Sequence, residues 1–168
     1  MVFNSPPPKP IVPSDFIGKR TLLDIHPREL ARQLTLMERA LLVAIPPSEC
    51  LRQQWTGQDR HKNAPNITRF IDHFNHINQI ISSTIVQVAD KKRRADALQS
   101  FIELAENLLD LNNFNGVSEV YSGLTATPVY RLKQTWEVGV GRYLLLESRS
   151  LVRSLAHNAT LLFLGWLV

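Results

Sequence analysis

The sequence predicts an all-α fold, a helical bundle. Across residues 24–137, apolar side chains recur every three or four positions, the spacing that gathers them on one face of a helix. The same stretch shows no alternation of Val, Ile or Thr with polar residues, which is the pattern of a half-buried strand. Prolines and capping residues divide it into segments of helical length. A chain of 168 residues has the size of one domain with one core.

Composition and charge narrow the class of protein. Hydrophobic residues make up 44% of the chain and charged residues 20%, which is typical of a soluble globular protein. The net charge of +4 is too small an excess to favour nucleic-acid binding, and residues 91–94 (KKRR) are interpreted as the solvated face of a helix. The longest apolar run, residues 161–168, is shorter than the roughly 20 residues that cross a bilayer, so no stable membrane insertion is expected.

The single cysteine, Cys50, excludes a disulfide within the chain and favours a cytoplasmic location. It is interpreted as a small buried hydrophobe. At the N-terminus, five of the ten prolines fall within the first 13 residues. Because proline fixes φ and lacks an N–H donor, residues 1–19 are predicted to form an extended linker or tail.

The first helix is predicted to start at Pro27, with Asp24 or His26 as its cap, and to end before Pro46. Its apolar face is expected to consist of Leu30, Leu34, Met37, Leu41 and Ala44. Ser48 is then expected to cap a short helix that runs through Trp55.

Three further helical stretches follow. Asn66 is predicted to cap a long helix and Asp90 the next one. Residues 111–116 (LNNFNG) form a polar, turn-rich break, after which a helix resumes across residues 116–124. Thr127 and Pro128 open a last set of helical positions, with Val129, Leu132 and Trp136 facing inward.

The residues by themselves indicate no catalytic, cofactor or metal site. His73 and His76 lie three apart on a helix, a spacing that can bring two imidazoles to one ion, but the sequence shows no Cys or Glu-x-x-His partner. A solvated or helix-packing histidine pair is therefore favoured. No glycine-rich phosphate loop is present in the sequence.

Several blocks of sequence form a recognisable series. They are LARQLTLME (30–38), PSECL (47–51) with Trp55, APNI (64–67), FN (74–75), FIELA (101–105), LNNFNG (111–116), SGL (122–124) and PVYRLKQTWE (128–137). In order and spacing these blocks resemble the N-terminal half of the Ras-family guanine-nucleotide exchange factor (RasGEF) catalytic domain. The resemblance identifies residues 20–137 as a partial RasGEF domain.

This resemblance implies an exchange factor that speeds GDP release from a Ras- or Rap-type small GTPase, without cofactor or covalent chemistry and therefore not an enzyme in the strict sense. The positions that would face the GTPase switch segments are Ile71, Asp72, Ser118, Thr125 and Tyr130. Ile71 and Ser118 would line a pocket for a switch tyrosine, and Ser118 is smaller and more polar than the apolar residue common there. Thr125 replaces a frequent Asn, whereas Tyr130 matches. Asn112, Asn113 and Asn115 are interpreted as structural caps.

The resemblance stops at Glu137, and residues 138–168 are interpreted as a divergent Leu-rich tail, either a true isoform tail or translated non-homologous sequence. The helical hairpin that opens the nucleotide site in the family is expected to be missing. The chain alone is therefore expected to exchange weakly or not at all. The alternative is a non-catalytic helical module that sequesters a GTPase or pairs with a full-length exchange factor. Unpartnered apolar faces are expected to lower stability and to favour self-association, and partners are expected to recruit the chain to the membrane surface.

Overall fold

A computed structural model describes residues 21–139, and it confirms the all-α prediction: this range contains helices and 3-10 turns and no strand. The 3-10 segments are Leu22–Asp24 and Pro47–Thr56. The α-helices of this range are α1 (Pro27–Val43), α2 (Arg60–Asn63), α3 (Pro65–Gln87), α4 (Lys91–Asp110), α5 (Phe114–Thr125), α6 (Thr127–Tyr130) and α7 (Lys133–Gly139). The proline-rich segment 1–19 and residues 140–168 lie outside the described residues. None of the described helices is both long and apolar enough to span a membrane.

Helix α4 lies at the centre of the bundle, where it packs against α1, α5 and α7, and α3 packs against α5. Burial of these faces removes apolar surface from water, which is the main force that holds the helices together. The core has members from every helix except the short α2, and it includes Leu34, Ile81, Ile85, Leu98, Phe101, Leu104, Leu108, Val117, Val120, Val129 and Trp136.

The predicted caps at His26 and Asp90 are confirmed. His26 Nδ1 accepts a hydrogen bond from the backbone N–H of Arg28 at 3.2 Å, and Asp90 Oδ1 accepts one from Arg93 at 2.8 Å. Each of these side chains satisfies an N–H that has no partner within the first helical turn. Local sequence therefore decided where α1 and α4 begin.

The break at LNNFNG is also confirmed, but α5 begins at Phe114, two residues before the predicted start. Asn113 is the cap: its Oδ1 accepts from the Gly116 N–H at 3.0 Å, and its Nδ2 donates to Thr35 Oγ1 in α1 at 3.0 Å. Asn112 adopts a left-handed conformation with φ of 55°, which turns the chain between α4 and α5. The structural interpretation of these asparagines is confirmed for Asn112 and Asn113.

Two predicted caps are wrong. Ser48 makes no capping bond, and the segment Pro47–Thr56 is not a regular helix: the backbone leaves helical geometry at Leu51, Arg52 and Gln53. Asn66 lies inside α3, and its side chain is not the cap. A long-range partner, the carboxylate of Glu49, takes that role instead, and such a partner leaves no local pattern in the sequence.

The predicted apolar face of α1 is wrong in part. Leu34 is buried, but Met37 is 53% exposed and Ala44 is exposed. The buried face instead consists of Glu29, Ala31, Leu34 and Glu38. Ala31 is fully buried in the core, and α1 packs against α4. The buried face of α1 therefore carries two glutamates beside Ala31 and Leu34.

Cys50 is exposed, which contradicts its interpretation as a buried hydrophobe. It lies in the irregular segment Pro47–Thr56, where Glu49 rather than Cys50 points inward. Lys91, Lys92 and Arg93 are solvated as expected, whereas Arg94 is half-buried. Its Nε donates to Thr135 Oγ1 at 2.9 Å and its Nη1 to the Val88 carbonyl at 3.0 Å, so it joins the start of α4 to α7.

Candidate functional site

The five residues predicted to face a GTPase lie on three helices that pack on one another. Ile71 and Asp72 lie on α3, Ser118 and Thr125 on α5, and Tyr130 on α6. Ile71 and Ser118 are half-buried, whereas Asp72, Thr125 and Tyr130 are exposed. All five therefore have side-chain surface that a partner can reach.

The start of α3, which carries Ile71 and Asp72, is held in place by Glu49. Glu49 Oε2 accepts hydrogen bonds from the backbone N–H groups of Asn66 at 2.9 Å and Ile67 at 3.0 Å. Its Oε1 accepts from Asn66 Nδ2 at 2.6 Å. A carboxylate is stabilised at a helix N-terminus by both the free N–H groups and the helix dipole. Glu49 was missed as a positioning residue because it lies 17 positions before Asn66.

On α5, Ser118 and Thr125 are seven residues apart, so they lie on the same face two turns from each other. Both hydroxyl groups donate to their own helix: Ser118 Oγ to the Phe114 carbonyl at 3.0 Å and Thr125 Oγ1 to the Tyr121 carbonyl at 2.8 Å. A partner therefore meets a small side chain and hydroxyl lone pairs at these two positions.

The spacing between α3 and α5 depends on Gly123. A Cβ atom at this position would lie 2.9 Å from both Cβ and Cγ2 of Ile81 and 3.1 Å from the Asn78 carbonyl oxygen. Real Cβ atoms do not approach that closely, so only glycine fits between the two helices. The contact sets how far apart the two helices that carry Ile71 and Ser118 lie.

Helix α6 has one turn, yet it is anchored at Val129, the residue before Tyr130. Val129 is fully buried, and Trp136 Nε1 donates to the Val129 carbonyl at 3.1 Å. With this anchor below it, Tyr130 is 55% exposed. A tyrosine held this way offers an apolar ring and a polar hydroxyl to a partner.

Behind this surface lies a buried group that the sequence did not indicate. Glu38 of α1, His73 of α3 and Glu119 of α5 each place one ligand atom within 4.8 Å of the other two. Burial, and then the negative charge of Glu38, raise the pKa of Glu119 to about 9. Burial also raises the pKa of Glu38. The pKa of His73 is lowered, first by burial and then by the positive charge that His76 can carry nearby.

These three residues come from positions 38, 73 and 119, and no local spacing joins them. The sequence signal was that each glutamate falls at a buried position of its helix. Glu38 lies one turn after the buried Leu34, and Glu119 precedes the buried Val120. An acidic residue in an apolar register marks a buried polar contact when no charge partner is near. That signal was masked by the different apolar face predicted for α1.

Comparison with known proteins gives a consistent result. The RasGEF domain family matches residues 29–156, which extends beyond Glu137 into the segment interpreted as a divergent tail. Ras guanine nucleotide exchange factor P of Dictyostelium discoideum is 44% identical over 137 residues, which cover 81% of this chain and 9% of the relative. Cell division control protein 25 of Saccharomyces cerevisiae is 38% identical over 140 residues (83% of this chain, 8% of the relative).

Protein son of sevenless of Drosophila melanogaster is 36% identical over 132 residues, covering 79% of this chain and 8% of the relative. The chain thus spans under a tenth of the length of these three relatives. The family match covers well over half of the chain, and it includes α1 from its third residue, all of α2 to α7 and all five candidate surface positions. This chain belongs to the RasGEF domain family.

Proposed function

We propose that the chain acts in guanine-nucleotide exchange on a Ras-type small GTPase, through the surface formed by Ile71, Asp72, Ser118, Thr125 and Tyr130. The family match over residues 29–156 is the observation that carries this proposal. The geometry supports it, because the five side chains are accessible on three mutually packed helices whose positions are fixed by Glu49, Gly123 and Trp136.

Exchange needs no covalent chemistry from this protein. If the chain binds the nucleotide-free GTPase more tightly than the GDP-bound form, GDP must bind the complex more weakly by the same factor. The surface therefore acts by differential affinity. A Ras or a Rap protein is the proposed partner. The chain is proposed to be cytoplasmic, and binding to the GTPase would bring it to the membrane surface.

A second candidate is a non-catalytic module that sequesters a GTPase or pairs with a full-length exchange factor. It is favoured by one observation: the blocks recognised in residues 24–137 belong to the half of the family's domain without the helical hairpin that opens the nucleotide site. In this case the surface binds a GTPase and GDP release stays slow. If one half of the domain binds the GTPase and the other half opens its nucleotide site, this chain alone is expected to exchange nucleotide weakly.

The two candidates are separated by one experiment. A Ras and a Rap protein, each loaded with a fluorescent GDP analogue, are mixed with excess chain and unlabelled GTP, and the loss of fluorescence is followed. Binding of the same GTPases without nucleotide is measured in parallel by calorimetry. Accelerated release supports exchange, and binding without acceleration supports sequestration. Absence of both for every GTPase tested contradicts both.

Self-association through apolar surface is a further proposal. Leu36, Met37, Leu42 and Val43 of α1 are all exposed large hydrophobic residues. Leu36 and Val43 are seven residues apart and lie on the same face of α1, where exposed apolar side chains favour contact with another chain. Sedimentation velocity over a range of concentrations tests it, and a monomer at every concentration contradicts it.

A further inference from the structure

We infer that Glu38, His73 and Glu119 form a binding site for one divalent transition-metal cation, for which Zn²⁺ is the best-suited ion. The three residues come from α1, α3 and α5, and one ligand atom of each lies within 4.8 Å of the others. The site is separate from the exposed surface of Ile71, Asp72, Ser118, Thr125 and Tyr130. It does not depend on GTPase binding.

The first argument is that these side chains are buried without hydrogen-bond partners. Glu38 is 4% exposed and Glu119 is fully buried. Both oxygens of Glu38, Oε2 of Glu119 and Nε2 of His73 have no partner among the described residues. Two carboxylates and an imidazole left this way in a helical core are costly, because burial removes their hydration and nothing replaces it.

The nearby donors offset this cost only in part, because the hydrogen bonds they make go to other acceptors. Asn113 Nδ2 donates to Thr35 Oγ1, Asn115 Nδ2 to Glu119 Oε1, and the Gly116 N–H to Asn113 Oδ1, each at 3.0 Å. They also favour the charged form of Glu38, but burial has the larger effect and raises the pKa of this carboxyl. The unpaired oxygens of Glu38 and Glu119 and the ring nitrogen of His73 remain for a ligand.

The donor set selects the class of ligand. When metal binding displaces the proton held by Glu119, two carboxylates and one neutral imidazole carry a charge of −2, which a divalent cation neutralises. Histidine nitrogen with carboxylate oxygen is a donor set typical of zinc, whereas Mg²⁺ and Ca²⁺ prefer oxygen alone. In a tetrahedral zinc site the ligand atoms lie roughly 3.3 Å apart, so the three side chains would close inward by up to about 1.5 Å.

An ion can reach the site from solvent. His73 and His76 line a cleft of about 670 Å³ between α1 and α3, together with Met37 and Asp72. His73 is half-buried, and it lies between this cleft and the two buried carboxylates. A water molecule would complete the coordination. The cation would then tie together α1, α3 and α5, two of which carry the candidate GTPase surface.

The competing arrangement is a proton shared by the two carboxyl groups, with no metal. It would pair Glu38 with Glu119 and leave His73 without a role. The two arrangements differ in what His73 contributes, so a variant of His73 decides between them.

The test uses the full chain carrying Cys50→Ser, since Cys50 is exposed and a thiol binds zinc by itself. After removal of metal by a chelator, Zn²⁺ is titrated in competition with a chromophoric chelator. We expect one Zn²⁺ per chain, with affinity at least tenfold lower in His73→Asn and in Glu38→Gln. Co²⁺ bound in place of Zn²⁺ should show visible d–d absorption that His73→Asn abolishes.

The matched control is His61→Asn, because His61 is an exposed histidine in α2, outside the cluster. It should bind Zn²⁺ as tightly as the parent chain. Circular dichroism establishes that each variant is folded, and if Glu38→Gln is not, the half-buried His73 carries the test. Zn²⁺ should also raise the melting temperature of the parent and not that of His73→Asn. No stoichiometric binding, or equal binding by parent and His73→Asn, would overturn the inference.

Discussion

Glu49 and Asn66 are joined by two hydrogen bonds: Glu49 Oε2 accepts from the Asn66 backbone N–H at 2.9 Å, and Oε1 accepts from Asn66 Nδ2 at 2.6 Å. Through them the irregular segment Pro47–Thr56 caps α3 from 17 residues away. Asn66, the cap predicted from the sequence, is thus held by Glu49, which is the actual cap of α3. Every position of the candidate surface on α3 depends on where this helix begins.

Replacement of Glu49 should therefore destabilise the domain. Glu49→Ala leaves the N–H groups of Asn66 and Ile67 without an acceptor, at a cost of about 2 kcal/mol in the free energy of unfolding. Urea unfolding followed by circular dichroism measures it. The control is Glu106→Ala, which removes an exposed glutamate of α4 and should change stability by less than about 0.5 kcal/mol. Equal stability of the two variants would contradict a capping role.

Gly123→Ala should destabilise the domain even though alanine favours helix. The added methyl group would lie 2.9 Å from Ile81 Cβ and 3.1 Å from the Asn78 carbonyl oxygen, so α3 and α5 must move apart. We expect a loss of about 1–3 kcal/mol from overpacking, larger than the gain of up to about 1 kcal/mol in helix propensity.

Gly57→Ala is the matched control, because a Cβ atom there meets nothing within 4 Å. It should leave the urea midpoint within experimental error. A Gly123→Ala variant as stable as the parent chain would show that α3 and α5 are not held at this spacing.

The stability of the metal-free chain should fall as pH rises between 7 and 9. The pKa of Glu119 is raised to about 9 from its usual 4.5, so the folded chain holds a proton that the unfolded chain releases. Stability is therefore lost as pH rises through this window. Glu38, which faces Glu119 from α1, shifts in the same direction. His73, which faces it from α3, has a lowered pKa and acts only below about 6.5.

Urea unfolding in the presence of a chelator at pH 7, 8 and 9 measures this slope. Glu119→Gln should flatten it, since an amide donates to Glu38 without releasing a proton. Glu106→Gln, at an exposed site, should keep the slope of the parent. If Glu119→Gln and the parent chain lose stability equally over this range, the proton is not held at Glu119.

Tyr130→Ala should weaken GTPase binding by about tenfold or more, because a partly exposed tyrosine on an anchored turn is typical of an interface anchor. Calorimetry with nucleotide-free GTPase measures the change. Leu111→Ala is the control: Leu111 is also an exposed large hydrophobic residue, but it lies at the end of α4. If both variants bind as the parent chain does, the surface on α3, α5 and α6 is not the interface.

The sequence by itself determined the fold class and the starts of α1, α4 and α6. The three-to-four spacing of apolar residues, the prolines and the caps at His26 and Asp90 are local features, and local backbone chemistry acts in the same way in any fold. The resemblance to the RasGEF domain named the five candidate positions, and the comparisons confirmed the family. Whether those five positions bind a GTPase stays a prediction.

Only the tertiary structure decided which partner each buried polar group has. Glu49 caps α3 and Glu38 faces His73 and Glu119 because helices far apart in the chain pack together, and no spacing along the sequence records such a contact. The inward face of α1 carries Glu29, Ala31, Leu34 and Glu38, and it differs from the apolar face that the spacing of residues predicted. Periodicity indicates that a helix has an apolar side, but close packing selects the side that is buried.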